Sequence, residues 1–218
     1  MTMNLLWLDL ETTERDPQKD FILEVAYYGS DSKLRPLHPA ERIVNHVIAP
    51  RDGMWARLAE SEYVTKMHTD SGLIEDLDFF GLDTLGMVEN EIISYLETHA
   101  NGEAWMLAGA SVHFDLDFIK VHMWRLATYL SHRVYDTSTL KTFFESMNMH
   151  HDVINEGQHR AFNDVAEVLE VARRYREGVQ KVMNFASDHH EIKGPGTFDS
   201  LDAYRDHGKN HDAIQRGI

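Results

Sequence analysis

The order of elements along the chain predicts an α/β domain, a mixed sheet flanked by helices, followed by a C-terminal extension. Three observations carry this. Strand-like runs come first, at Leu5–Leu8, Phe21–Tyr28 and Ile43–Ala49. Helical and strand-like segments then alternate from about residue 83 to residue 177. From about Phe185 the pattern stops, and Gly194-Pro195-Gly196 and repeated His and Asp take over.

The first strand is an apolar run that leads straight into Asp9 and Glu11. Residues two apart on a strand share a face, so these two carboxylates project together from the end of a buried strand. Adjacent desolvated carboxylates repel, and a divalent cation between them relieves the cost. Hard oxygen ligands suit magnesium or manganese. A polar turn with Asp16-Pro17 separates this strand from the second, and the third closes an antiparallel meander before Pro50.

Between Gly53 and Leu77 the pattern is broken, with one short helix expected over residues 55–62. Residues 83–100 predict a longer helix, because Leu85, Val88, Ile92 and Leu96 form one apolar stripe. Trp105–Ser111 reads as a buried strand, and a helix is expected over 114–130 with Asp115 and Asp117 in its first turn. A short strand at Val134-Tyr135, a turn over 136–139 and a helix over 140–147 follow. The last helix is expected over 162–177, with Val165, Val168, Leu169, Ala172 and Tyr175 on one face. A short helix over 201–206 is expected in the extension.

Composition bounds the function. The chain has 218 residues, 43% of them apolar, enough for one sizeable core. Its 21 basic and 36 acidic residues give a net charge of −15. That argues against a protein coating long duplexes or membranes, but not against a short anionic substrate held by metal ions and a few placed donors. Without cysteine there are no disulfides, thiolate zinc sites or thiol nucleophiles. With no leader-like or membrane-length apolar segment, a cytoplasmic protein is expected.

Two further places put polar groups at strand ends and helix starts. Asp115 follows the strand ending near Ser111, and Asp117 beside it suits an ordinary first-turn acid. His159 and Asp164 lie at the start of the last long helix, in QHRAFND. His150, His151, His189, His190, His207 and His211 are expected to be ordinary surface histidines.

An opening D-x-E on the first strand, an F-D at a strand-to-helix turn and a final H-x4-D on a helix together resemble the DEDDh 3′–5′ exonuclease superfamily. Within it the chain is most similar to the oligoribonucleases, from about Leu6 to Arg176, with support from HTDSGLIEDL at His68, AGASVHFD at Ala108 and RVYDTSTLK at Arg133. The resemblance implies an RNase H-like core over residues 1–184, a homodimer and two divalent cations, Mg2+ or Mn2+. Asp9, Glu11 and Asp164 would hold one cation, Asp9 would share the second, and Asp115 would contribute through water. His159 would act as general base. Short single-stranded RNA, with DNA less favoured, would be cut from its 3′ end to 5′-nucleoside monophosphates.

The resemblance also implies a cap for a 5′-terminal phosphate at Ser111, Arg133 and Ser138. Three positions depart from the family: Arg15 where it has an apolar wedge, Tyr63 where it has a stacking tryptophan, and His132 where the partner subunit supplies a tyrosine. Strict preference for dinucleotides is therefore not carried over. The alternatives are a DEDDh exonuclease acting on DNA or on 3′ ends of longer RNA, and a silent oligonucleotide-binding protein.

Overall fold

The computed structural model describes residues 3–100, 104–147 and 159–189. The chain divides into two compact units, Met1–Arg174 and Tyr175–Ile218. The first holds a five-stranded sheet in the order β3-β2-β1-β4-β5. Its strands are β1 (Leu5–Thr12), β2 (Ile22–Ser30), β3 (Val44–Val47), β4 (Trp105–Gly109) and β5 (Leu130–Asp136). β1, β2 and β3 form the expected antiparallel meander, whereas β4 and β5 run parallel to β1.

Alternation along β1 sorts the core into two faces. Leu6, Leu8 and Leu10 pack with α4 (Leu85–His99), α5 (His113–His122) and α6 (Trp124–Ala127), through Val88, Ile92, Phe118 and Leu126. Leu5 and Trp7 point the other way, against Ala161, Val165, Leu169 and Ala172 of α8 (Ala161–His189). Each fully buried aliphatic side chain on these faces contributes about 1.5–3 kcal/mol. Asp9 and Glu11 continue the odd-numbered register, so they emerge on the face that α8 covers.

Several boundaries differ from the sequence expectation. The broken stretch holds three helices, α1 (Met54–Leu58), α2 (Glu62–Asp70) and α3 (Leu73–Phe80), which close a third apolar cluster with Leu23. Gly53 and Gly72, at φ 82° and 77°, start α1 and α3 in the left-handed region, and Ser61 caps α2. These are local caps with little apolar periodicity to announce them.

The helix expected over 114–130 is broken at Met123, where φ and ψ are −130° and 51°. Glu89 of α4 accepts hydrogen bonds from the amides of Arg125 and Leu126 and so caps the second piece. That frees residues 130–136 for a strand longer than the expected pair. Asp136 then caps α7 (Thr137–Ser146) through the amide of Ser138, so the expected turn is the first turn of the helix. α8 extends beyond 177 to His189, passing through Gly178. His150, His151, His190, His207, His211 and residues 201–206 lie outside the described residues, as does the side chain of His189.

Candidate active site

Where β1 leaves the sheet, ligand atoms of Asp9, Glu11 and Asp164 all lie within 4.8 Å of one another. Strand alternation supplies the first two. The third comes from the first turn of α8, whose apolar stripe seats it over the odd face of β1. Asp115 arrives from the first turn of α5 and is buried. Its Oδ1 accepts a hydrogen bond of 3.1 Å from the amide of Leu10, between Asp9 and Glu11. Asp117, two residues on, is exposed and pairs with Lys120 at 3.0 Å, as an ordinary surface acid does.

Burial and mutual repulsion strain this group. Asp9 is held well above the usual carboxylate range by burial first, then by the charges of Asp115, Asp164 and Glu11. Burial, with Asp164, Glu24 and Asp115, pushes Glu11 up to about 8. Burial also raises Asp115 to about 8, against the hydrogen bond from Leu10, and Asp164 to about 6, against the pull of His159. The guanidinium of Arg160 is engaged by Glu24 and Asp76. Three crowded, desolvated carboxylates short of positive charge fit a divalent cation.

His159 has a backbone φ of 41° and lines the cavities on both sides of the carboxylates. One, of about 430 Å³, has Val64, Met67 and Phe114 in its walls and Tyr63 and Arg15 at its rim. Tyr63 is 71% exposed, and Arg15 is exposed with no ion pair or hydrogen bond among the described residues. The other, of about 570 Å³, reaches from Asp9 and Asp164 to Ser111, Ser138 and Lys141. The two hydroxyls lie 3.3 Å apart, and Ser111, at φ 54°, also points its amide at Ser138 Oγ, 3.1 Å away. Lys141 is the cation on this wall. Arg133 and His132 lie exposed on β5 and are not among the residues lining either cavity.

Three residues of the site escaped the sequence reading. His68 of α2 is fully buried, and its Nε2 lies 2.9 Å from the carbonyl of Thr12. That contact requires the proton on Nε2. Nδ1, without a hydrogen-bond partner among the described residues, faces Glu11 from 3.9 Å and is an acceptor when the ring is neutral. Burial holds this imidazole below its ordinary range, despite the bond to Thr12. Glu24, paired with Glu11 across β1 and β2, is the second, and Lys141 is the third. The HTDSGL run was the one available signal for His68; nothing local marks the other two.

Residues 6–172 match the family model described as Exonuclease. The chain is 32% identical to the oligoribonuclease of Neisseria meningitidis over 176 residues, 80% of this chain and 91% of that one. It is 33% identical to that of Chromobacterium violaceum over 186 residues, 83% and 98% of the two chains. To that of Streptomyces coelicolor it is 33% identical over 190 residues, covering 82% and 88%. Among solved structures, it resembles exonuclease I from Methylocaldum szegediense with a TM-score of 0.57 at 18% identity, over 85% of this chain. The zinc-bound E. coli exonuclease I–ssDNA complex gives a TM-score of 0.60 at 12% identity, over 87% of this chain. The chain spans 43% of each of those two proteins, and the likeness shows the shared RNase H-like fold alone. By the family match and the full-length relatives, the chain belongs to the oligoribonucleases, 3′–5′ exonucleases of the DEDDh superfamily.

Proposed function

We propose that this enzyme hydrolyses short single-stranded oligoribonucleotides from the 3′ end and releases 5′-nucleoside monophosphates. The convergence of Asp9, Glu11 and Asp164 beside His159, at the junction of two nucleotide-sized cavities, carries this reading. Asp9, Glu11 and Asp164 would hold divalent cations, Mg2+ or Mn2+, with Asp115 assisting. Bound there, the cations supply positive charge to the phosphoryl oxygens and stabilise the attacking and leaving oxygens.

The remaining work falls to the chain's own groups. His159, exposed at the junction, takes the proton from the attacking water, which requires a neutral imidazole. The apolar walls at Val64, Met67 and Phe114 shelter the terminal nucleoside, and Tyr63 offers a face for its base. On the opposite side, Ser111 and Ser138 orient a 5′ phosphate, with Lys141 supplying the charge. Arg133 and His132, exposed on β5, are assigned to the same terminus through a second subunit, within a homodimer. A cytoplasmic location belongs to this reading; no helix of the described residues is long and apolar enough to cross a membrane. Residues 1–184 would carry the activity and 185–218 would be an appendage.

A ladder of 5′-phosphorylated RNA and DNA oligomers, two to about twenty nucleotides long, tests the proposal in the presence of magnesium. Rates that fall with length, with RNA cut faster than DNA and mononucleotides as products, are expected. Internal cuts, or a preference for long DNA, would replace this substrate assignment.

A further inference from the structure

Arg160 directly follows the catalytic candidate His159, yet it is not among the residues lining either cavity. Its Nε lies 3.1 Å from each carboxylate oxygen of Glu24, and its Nη2 lies 2.7 Å from Oε1. The same Nη2 reaches Asp76 of α3 at 2.7 Å. Glu24 is fully buried on β2, beside Glu11 in the antiparallel register. Its Oε2 also accepts the amide of Ala161, the first residue of α8, at 2.9 Å. Asn45 of β3 donates to Oε1 from 2.9 Å. One carboxylate thus grips the side chain of residue 160 and the backbone of residue 161.

His159, which these grips directly follow, holds a positive φ of 41°, uncommon for a residue with a side chain though more frequent for His than for most. Asp164, three residues beyond Ala161, takes its position from the start of α8. The anchor for both residues is therefore the strand that is hydrogen-bonded to the one carrying Asp9 and Glu11. A buried ion pair adds little net stability over apolar residues of the same volume, so stability alone does not account for it. Its fork geometry does have a use: it sets residues 159 to 164 in register with β1.

We propose that Glu24 and Arg160 are positioning residues, a clamp that fixes the backbone of His159 and the placement of Asp164 relative to Asp9 and Glu11. The inference rests on the roles given above to His159 and Asp164. It predicts that the fork matters to the reaction independently of its effect on folding.

The test compares wild type, Arg160→Lys and the double variant Glu24→Leu/Arg160→Met. Three quantities are read: Tm, Mn2+ affinity by electron paramagnetic resonance, and kcat and KM on a 5′-phosphorylated diribonucleotide. Arg160→Lys keeps the charge and the fold but cannot bridge Glu24 and Asp76 with a planar fork. Its kcat should fall at least tenfold with KM within threefold, and Mn2+ should bind about fivefold more weakly. The double variant also leaves the amide of Ala161 and the side chain of Asn45 without their acceptor, so it should melt several degrees below wild type but stay folded at 25 °C, where its kcat should remain at least thirtyfold low. Mn2+ affinity and kcat within threefold of wild type in Arg160→Lys would overturn the clamp; so would recovery of both in the double variant. The Mn2+ arm separates this from the substrate assignment. A wild type that binds Mn2+ but cuts no diribonucleotide refutes the assignment, and the clamp is then judged on whether Arg160→Lys weakens that binding.

Discussion

The carboxylate of Asp115 is tied to the amide of Leu10 by a 3.1 Å hydrogen bond that joins the first turn of α5 to the strand between the two leading acids. Asp115 therefore has two separable properties, an acceptor oxygen that braces β1 and a buried charge. Asp115→Asn keeps the first and removes the second. Because burial holds this carboxyl up to about 8, losing the charge relieves desolvation. The metal-free variant should melt at or above the wild-type temperature at pH 8. Its exonuclease rate should drop by about a hundredfold or more, a barrier higher by roughly 3 kcal/mol. Calorimetry in EDTA and a dinucleotide assay in magnesium separate the two effects.

The same carboxylates set the pH dependence of the metal-free protein. Folding raises Asp164 to about 6 and Glu11 and Asp115 to about 8, above their ordinary values. The folded state then binds protons more tightly than the unfolded one. Their stabilising contribution is complete below about pH 4 and is lost as pH rises through 6 and then 8. Tm in EDTA should therefore decline between pH 5 and pH 9, apart from contributions of other groups. Millimolar Mg2+ should flatten that decline, since cations favour the charged carboxylates of the native state. An identical slope with and without Mg2+ would remove cation binding by this cluster.

What the sequence discloses of this site follows from the range of its forces. Asp9 and Glu11 share a face by strand alternation, a rule with a two-residue range, and that pairing was readable directly. The meander and the stripe of α4 were readable for the same reason. Asp115, His159 and Asp164 stand out only by their place at strand ends and helix starts, and their roles became legible through resemblance. Glu24, His68 and Lys141 stayed hidden, because each gains its role from a partner 20 to 140 residues away: Ala161, Glu11 and the wall of Ser111. The break at Met123 was missed likewise, since the carboxylate that caps the second piece sits on α4.

That capping carboxylate gives a prediction outside the site. Glu89 is buried, accepts the amides of Arg125 and Leu126 at 2.9 and 3.1 Å, and meets the Arg125 guanidinium at 2.6 Å. Glu89→Ala leaves two amides and a guanidinium without their acceptor. A loss of about 3 kcal/mol is expected, which corresponds to a Tm lower by roughly 6–12 °C. Activity per folded molecule at 25 °C should be unchanged, because the residue touches neither cavity. A thermal melt and a rate normalised to active protein check both halves.

The two cations available to a 5′ phosphate make distinguishable contributions. Lys141 lies on the cavity wall with Ser111 and Ser138, whereas Arg133 is exposed on β5. Lys141→Ala should lower kcat/KM for 5′-phosphorylated dinucleotides by about tenfold and leave 5′-hydroxyl dinucleotides nearly untouched. The 5′ phosphate is the one substrate group the lysine, which also lies 4.0 Å from Glu145, would contact, and one charged hydrogen bond is worth about 1.5–3 kcal/mol. Arg133→Ala should show the same selectivity only at concentrations where the protein is dimeric. Running both variants on both substrates across a dilution series therefore tests the phosphate assignment and the second subunit together.

Under the proposed function, Arg15 has a part in how long a substrate the cavity accepts. It stands at the rim opposite Tyr63, exposed and without an ion-pair partner among the described residues, in a chain of net charge −15. An unpaired guanidinium beside a bound oligonucleotide is drawn to backbone phosphate as well as to a base face. Each additional nucleotide offers another phosphate, so Arg15 should soften the decline of rate with length. Arg15→Leu removes that attraction and puts an apolar side chain at the rim. The variant should lose activity on four- to seven-nucleotide RNA by about five- to tenfold relative to dinucleotides, and its rates on longer RNA should become less sensitive to salt. A length profile that superimposes on wild type at both low and high salt would show that Arg15 has no part in substrate choice.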